Sequence, residues 1–204
     1  MNTSTTTLEW INPTTSEDVQ RYGAYLHICL GRLDEPVSIH CQSGRVVPYF
    51  LVANDQPVAA CLYHPEWNAI STMAGPHATP LIRGEYMCEI VSLLNQLNIQ
   101  RTLNSSLRKI GCIKVNGSWI NMRQLMPGTI VEHTLDLTNY THLLPLPTNL
   151  TVVGDLILTR TNISHIPSQL KVTGTLDVRF SPVWSVPDDL EAGTIKTSGG
   201  KRLR

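Results

Sequence analysis

Histidine and cysteine stand close together at three places in this chain: His27 with Cys29, His40 with Cys41, and Cys61 with His64. Thiolate and imidazole are the ligands zinc prefers, but a structural zinc site shows two tight ligand pairs of the Cys-x-x-Cys kind. Only Cys61-x-x-His64 approaches that spacing, so no metal ligand is assigned. The same side chains could serve acyl chemistry. Cys41 beside Ser43-Gly44, or Cys61 at a strand end, would attack while a histidine takes the proton and Asp55 or Glu66 orients it. A chain with five cysteines and seven histidines offers such triples by chance. Cys29 and Cys88 fall on apolar helix faces, where cysteine acts as a small buried hydrophobe. The phosphate loop Gly-x-x-x-x-Gly-Lys, Gly-x-Gly-x-x-Gly, the Gly-x-Ser-x-Gly elbow and His-Glu-x-x-His are all absent. No catalytic residue and no cofactor follow from these motifs.

Composition narrows the partners. Sixteen basic residues balance sixteen acidic ones, and charged residues make up only 16% of the chain, so long-range attraction to nucleic acid or anionic lipid is not built in. Arg101, Arg108, Lys109, Lys114 and Arg123, interleaved with Trp119, form the one basic cluster before the tail, and in a neutral protein such a cluster reads as a solvated face. Lys201, Arg202 and Arg204 make a small basic tail over 198–204. No apolar run reaches the roughly 20 residues of a membrane span; the longest, Val46 to Ala53, is broken by Pro48. The Thr-rich start, Met1 to Leu8, lacks the apolar core of a secretory signal, and five irregularly spaced cysteines suit reduced thiols. A cytoplasmic location is therefore expected, in a host cell or within a virion. Asn-x-Ser/Thr triplets at Asn2, Asn104, Asn116, Asn139, Asn149 and Asn162 are attributed to the Asn- and Thr-rich composition rather than to glycosylation.

The strongest organising signal is a repeat of 20 residues. Leu146 to His165 aligns without a gap on Ile166 to Ser185: Pro147 on Pro167, Leu150 on Leu170, Val152 on Val172, Gly154 on Gly174, Leu156 on Leu176 and Ile163 on Val183. A third block starts at Val186-Pro187 and loses one residue before Gly193 and Ile195. Upstream, Met126, Pro127 and Ile130 open a degenerate block with an extra residue before Leu146. Apolar pairs two apart are the period of a strand with one buried face. Prolines exclude helix at the block boundary, and the glycines supply a turn before the second pair. Each coil is thus two very short strands joined by tight corners. One coil cannot bury its own apolar row, so three to four coils must stack.

Leu156-x-Leu158-x-x-Thr161-x-Ile163 followed by Ile166-Pro167 resembles the leucine-rich repeat family in its short bacterial type, over about a third of the chain. It also looks like repeats of phage-encoded proteins. The family usually has Asn or Cys where this chain has Thr161, Ser181 and Tyr140, so hydroxyls replace the buried amide ladder. They can donate to the neighbouring coil's backbone, with one proton each instead of two.

Residues 1–125 have a different texture. Thr15 or Ser16 caps a helix with Val19, Tyr22, Leu26 and Cys29 on one stripe, stopped by Gly31. Val37 to Cys41 reads as a strand, and Pro48 to Ala53 with Val58 to Tyr63 as a hairpin turning at Asn54-Asp55-Gln56. A second helix is expected over Glu85 to Asn98, then a hairpin, Cys112–Val115 and Ser118–Ile120, closed by Asn116-Gly117. The hairpin Tyr49 to Tyr63 followed by a helix resembles acyltransferase folds that bind coenzyme A; these need a Gly-rich pyrophosphate loop, which Arg83-Gly84 alone does not supply.

The expected architecture is an α+β domain over 1–125, able to cover the first coil, followed by a short β-solenoid of leucine-rich-repeat-like coils over 126–197. The resemblance implies a binding surface: Thr134, Asp136, Thr138, Asp155, Ile157, Thr159, Thr175, Asp177 and Arg179 flank the inward leucines and point outward, giving a mostly acidic face for a basic or hydrogen-bonding partner. Phe180 and Trp184 replace Arg160 and Ser164 of the preceding block and lie outside the core, either as binding anchors or as a hydrophobic cap on the last coils. The expectation is a non-catalytic protein-binding module, a phage or bacterial accessory protein engaging a host or virion protein. The alternatives are a cysteine-dependent or acyltransferase-like enzyme in 1–125 with the solenoid as its recognition arm, and a structural subunit of a homo- or hetero-oligomer.

Overall fold

The computed structural model describes residues 7–31, 36–81, 86–102 and 106–198. The chain forms two compact units, Met1–Ile110 and Gly111–Arg204, the first α+β and the second a parallel β-solenoid. Among the described residues, no helix is long and apolar enough to cross a membrane. The basic tail Lys201, Arg202 and Arg204, and Arg83-Gly84, lie outside the described residues.

The first unit runs β1 (Leu8–Ile11), α1 (Ser16–Tyr25), α2 (Pro36–Gln42), β2 (Val47–Ala53), β3 (Gln56–His64), β4 (Ala69–Ala74), α3 (Met87–Gln96), β5 (Arg101–Thr102) and α4 (Ser106–Ile110). Its sheet has the order β1-β2-β3-β4-β5, antiparallel except that β4 and β5 run parallel, as a crossover through α3 requires. Thr15 is the cap: its hydroxyl accepts from Asp18 N at 3.1 Å, with Glu17 and Asp18 at the positive end of the helix. The β2–β3 turn places Asn54 and Asp55 at φ 49° and 64°, the left-handed pair of a two-residue hairpin turn. Val19, Leu26 and Leu30 pack with Phe50, Val52, Ala60 and Leu62 on one face of the sheet.

Several expectations for this unit are corrected. The segment Val37–Cys41 lies in the helix α2, not a strand; Pro36, with no N–H to lose, starts it. The first helix ends at Tyr25 rather than Gly31, and Cys29–Gly31 forms a separate 3-10 turn. Cys29 and Cys88 are exposed, not buried on apolar faces. The second helix begins at Met87, after Tyr86 in a left-handed conformation. Strands β1, β4 and β5 and helix α4 add to the expected order of helix, three strands, helix and two strands.

The second unit opens with the hairpin β6 (Cys112–Val115) and β7 (Ser118–Asn121), turning through Asn116 and Gly117 at φ 49° and 81°. This hairpin packs with the coils: Ile113, Val115, Met122 and Leu125 share one core with Val131, Leu156 and Leu176. Coils follow as β8 (Ile130–Val131) and β9 (Leu135–Asp136), β10 (Thr151–Val152) and β11 (Leu156–Ile157), β12 (Lys171–Asp177), and β13 (Glu191–Lys196). All pair in parallel, with Val131, Val152, Val172 and Ala192 in one row and Leu135, Leu156, Leu176 and Ile195 in the other. The third coil departs from the two-strand expectation, since β12 continues through Gly174. A Cβ there would collide with Asp155 Oδ1 and lie 2.8 Å from Gly154 O, so Gly174 serves close approach, whereas Gly154, at φ 133°, makes the turn.

The hydroxyl positions close the interior. Ser181 Oγ donates to Leu158 O of the preceding coil and accepts from Thr161 N at 3.0 Å, while Thr161 Oγ1 donates to Leu158 O at 2.9 Å. Tyr140 reaches further and donates to Cys112 O at 2.6 Å, tying the first coil to the hairpin.

Candidate functional site

Nucleophilic chemistry by the thiols depends on their ionisation. Cys61 sits fully buried on β3, and burial pushes its pKa far up. Cys112 is pushed up to about 12 by burial. Cys41, half-buried on α2, is pushed up to about 11 by burial and then by Cys29. It borders a cleft of about 250 Å³ lined also by Thr15, Val19, Leu30 and Gln42, with no histidine among the described lining residues. A protonated thiol with no adjacent base is a poor nucleophile. Among the described residues no three His, Cys, Asp or Glu side chains gather as metal ligands.

A different pair was not legible from spacing. His64 at the end of β3 lies with Nε2 2.6 Å from Ser71 Oγ on β4, and its ring stacks on Trp67 at 5.1 Å and 11°. Burial, then the nearby His40, lowers the His64 pKa, which favours the neutral imidazole. Ser71 is the residue skipped by the β3–β4 register, which passes from Leu62↔Thr72 to Tyr63↔Ile70. Such bulges re-aim side chains and recur beside active sites. Among the described residues, β5 pairs in parallel with Ala69 and Ile70 at the start of β4, next to this bulge. The contact that brings His64 to Ser71 spans two strands and a bulge, which periodicity does not reveal.

On the solenoid, the expected outward row divides into tethered and available side chains. Asp177 keeps its place beside the inward Leu176, in register with Ile157 and Lys196, but its side chain is covered: it binds the Arg179 guanidinium through Nε and Nη2 at 2.6 to 3.1 Å while accepting from Arg179 N. That hydrogen bond is the leading cause holding the Asp177 carboxyl below the usual carboxylate range. Asp136 turns back to accept from Thr138 N, and Asp155 Oδ1 accepts from Thr175 N at 2.6 Å in the next coil. The acidic residues thus hold corners and coils together. Thr134 is exposed, and Ile157, Thr159 and Thr175 are half-exposed along this side. Thr134 accepts from Asp155 N at 3.3 Å.

The aromatic positions are different. Phe180 is 64% exposed and Trp184 58% exposed, so neither closes the core. Phe180 stands at the corner where each coil takes a left-handed residue, Asn139 at φ 63°, Arg160 at φ 55° and Phe180 at φ 60°. Asparagine tolerates that conformation, but a bulky residue there is strained. The Arg160 guanidinium lies 5.4 Å from the Phe180 ring centroid, and His165 meets Trp184 edge-on at 5.5 Å. Two cation- or imidazole-supported rings thus stand on the outside of the coils. The chain matches no family model, no curated protein and no solved structure.

Proposed function

We propose that this protein is a non-catalytic protein-binding module whose contact surface is the Phe180–Trp184 side of a leucine-rich-repeat-like solenoid. The observation that carries the reading is Phe180 itself. A large apolar side chain is held in a left-handed conformation and 64% exposed, at a corner where the equivalent residue of the first coil is Asn139. The exposed contact with Arg160 returns less to the fold than the left-handed conformation costs, and backbone strain held in this way is a mark of functional sites. Trp184, four residues on, is of the type that anchors interfaces, where truncation costs about 2 kcal/mol or more. A host or virion protein is the partner class this reading suggests, with Arg160 and His165 favouring an acidic rim on it.

The test uses Phe180→Asn and Trp184→Ala in the full chain. Phe180→Asn should raise the melting temperature of the solenoid slightly, because relief of about 1–2 kcal/mol of backbone strain outweighs the loss of an exposed cation–π contact worth about 0.5–1 kcal/mol. It should at the same time abolish capture of the protein that the wild-type chain retains from its native cell. Retained capture by both variants sinks the reading.

A second reading is favoured by one observation, the His64–Ser71 pair at the bulge of β4, next to the parallel pairing of β4 with β5. Ligands of open α/β sheets bind beyond the carboxyl ends of parallel strands, which fits the acyltransferase-like alternative in 1–125. Coenzyme A added to the full chain should then raise the melting temperature of that unit, and an unchanged melting temperature at saturating coenzyme A excludes it.

A further inference from the structure

The two ends of the solenoid are finished differently. At the first coil the hairpin packs its apolar side chains into the core, and Asn116 at its tip donates from Nδ2 to Ile130 O at 3.0 Å and accepts from Glu132 N at 2.7 Å. The edge of β8 is therefore closed. At the last coil, β13 pairs with β12 on one side and with no other strand among the described residues. Its apolar row is open: Ile195 is 40% exposed, whereas Leu135, Leu156 and Leu176 beneath it are buried. An unpaired strand edge of this kind is a template for another strand, and a stack of coils needs a cover on its terminal face.

We infer that this edge pairs with β13 of a second copy of the same chain, antiparallel and about a two-fold axis between Gly193 and Thr194. A head-to-tail continuation would need the edge of β8 as well as that of β9 free, and Asn116 occupies the edge of β8. An isologous contact needs only the open edge, used twice. The sequence of β13 is self-complementary in one register. Glu191 comes opposite Lys196 of the second copy, Ala192 opposite Ile195, and Gly193 opposite Thr194. Opposed residues of an antiparallel pair share a face of the sheet. In β13, Ala192 continues the inward row of Val172 and Ile195 that of Leu176; the register shift between them brings these two residues, three apart, to the same face, while Glu191 and Lys196 are exposed and pair with Lys171 and Asp177, off those rows. The apolar row therefore meets itself, and each charged residue meets one of opposite sign. A register centred on Gly193 would oppose Glu191 to Ile195, and one centred on Thr194 would oppose Ala192 to Lys196. Both place a charge against the apolar row. Within one chain Glu191 already accepts from Lys171 Nζ at 2.9 Å through Oε1, so in the pair the carboxylate lies between two ammonium groups. This inference goes beyond the binding reading above and uses a different surface, the end of the stack rather than its side.

The test is sedimentation equilibrium of the full chain over a concentration series. The wild type should be a dimer. Glu191→Lys and Lys196→Glu should each be monomeric, their association weakened roughly tenfold or more by like charges placed opposite each other. Mixing the two variants should restore a one-to-one heterodimer. At one end of the paired strands the introduced lysine of one chain then faces the introduced glutamate of the other, and at the other end the unchanged Lys196 faces the unchanged Glu191. Circular dichroism of each variant alone checks that the coils are intact. A monomeric wild type, single variants that stay dimeric, or a mixture that fails to associate each overturns the inference. Phe180→Asn should leave the dimer unchanged, which separates this result from the fate of the partner-binding reading.

Discussion

Asp177 shows how an acidic residue of the solenoid can be structural rather than recognitive. Its carboxylate is buried and satisfied by Arg179, whose hydrogen bond is the main reason its proton affinity is depressed in the fold. A depressed folded pKa means that the stabilisation is complete above the unfolded value of about 3.9 and is lost as pH falls through the lower folded value. Asp177→Asn should therefore cost about 1–2 kcal/mol at neutral pH. The gap in melting temperature between wild type and variant should narrow steadily on acidification, a trend read from melts at successive pH values; a gap independent of pH contradicts it. The thiols give a second residue-level expectation. Cys29 and Cys88 are exposed, whereas Cys61 and Cys112 are buried and Cys41 has a raised pKa. An aromatic disulfide reagent at neutral pH should modify Cys29 and Cys88 quickly in the native chain, and Cys61 and Cys112 only after denaturation. Rapid native modification of Cys61 would contradict the burial described.

At the scale of elements, Gly174 and the hairpin carry the clearest consequences. Gly174→Ala puts a methyl group 2.8 Å from the Gly154 carbonyl, a backbone atom that cannot swing away, and should destabilise the solenoid by about 3 kcal/mol in thermal melts. Ile113 on β6 is fully buried in the solenoid core, so Ile113→Ala should cost about 2–4 kcal/mol. Hydrogen exchange should place the lost protection in β10 to β12 and leave β2 and β3 unchanged. The coils were legible in the sequence because a repeat states its own register: the extra residue before Leu146 and the missing one before Gly193 reappear as uneven steps in rows that still stack. The hairpin was legible as a hairpin through Asn116-Gly117, but its allegiance was not, since which core Ile113 enters is a tertiary fact. In the first unit, β4 is not legible in the sequence because the bulge at Ser71 interrupts its alternation. The β-branched and alternating Val37-Ser38-Ile39-His40-Cys41 mimics a strand, although Pro36 suits the first turn of a helix. The candidate site followed the same division. Phe180 and Trp184 were visible as breaks in the repeat, while the tethering of Asp136, Asp155 and Asp177 depends on hydrogen bonds between and within coils.

At the scale of the whole molecule, each unit has a core of its own among the described residues. Phe50 packs with Val19, Leu26 and Leu30 in the first unit, and Leu156 packs with Ile113, Leu135 and Leu176 in the second. Both side chains are fully buried, so Phe50→Ala and Leu156→Ala should each cost about 3–4 kcal/mol of local stability. In a stack of coils each level is supported chiefly by its neighbours, so damage at Leu156 spreads through β9 to β13. It need not cross Ile110–Gly111, because the two cores share no side chains among those described. Calorimetry should then resolve two transitions, with Phe50→Ala lowering one and Leu156→Ala lowering the other. Tyr140 sharpens the assignment: its hydroxyl donates to Cys112 O at the start of the hairpin, so Tyr140→Phe should lower the same transition as Leu156→Ala, by about 1–2 kcal/mol for a buried carbonyl left without its donor. If Tyr140→Phe instead moved with Phe50→Ala, the hairpin would have to be assigned to the first unit and the boundary moved from Ile110 towards Leu125.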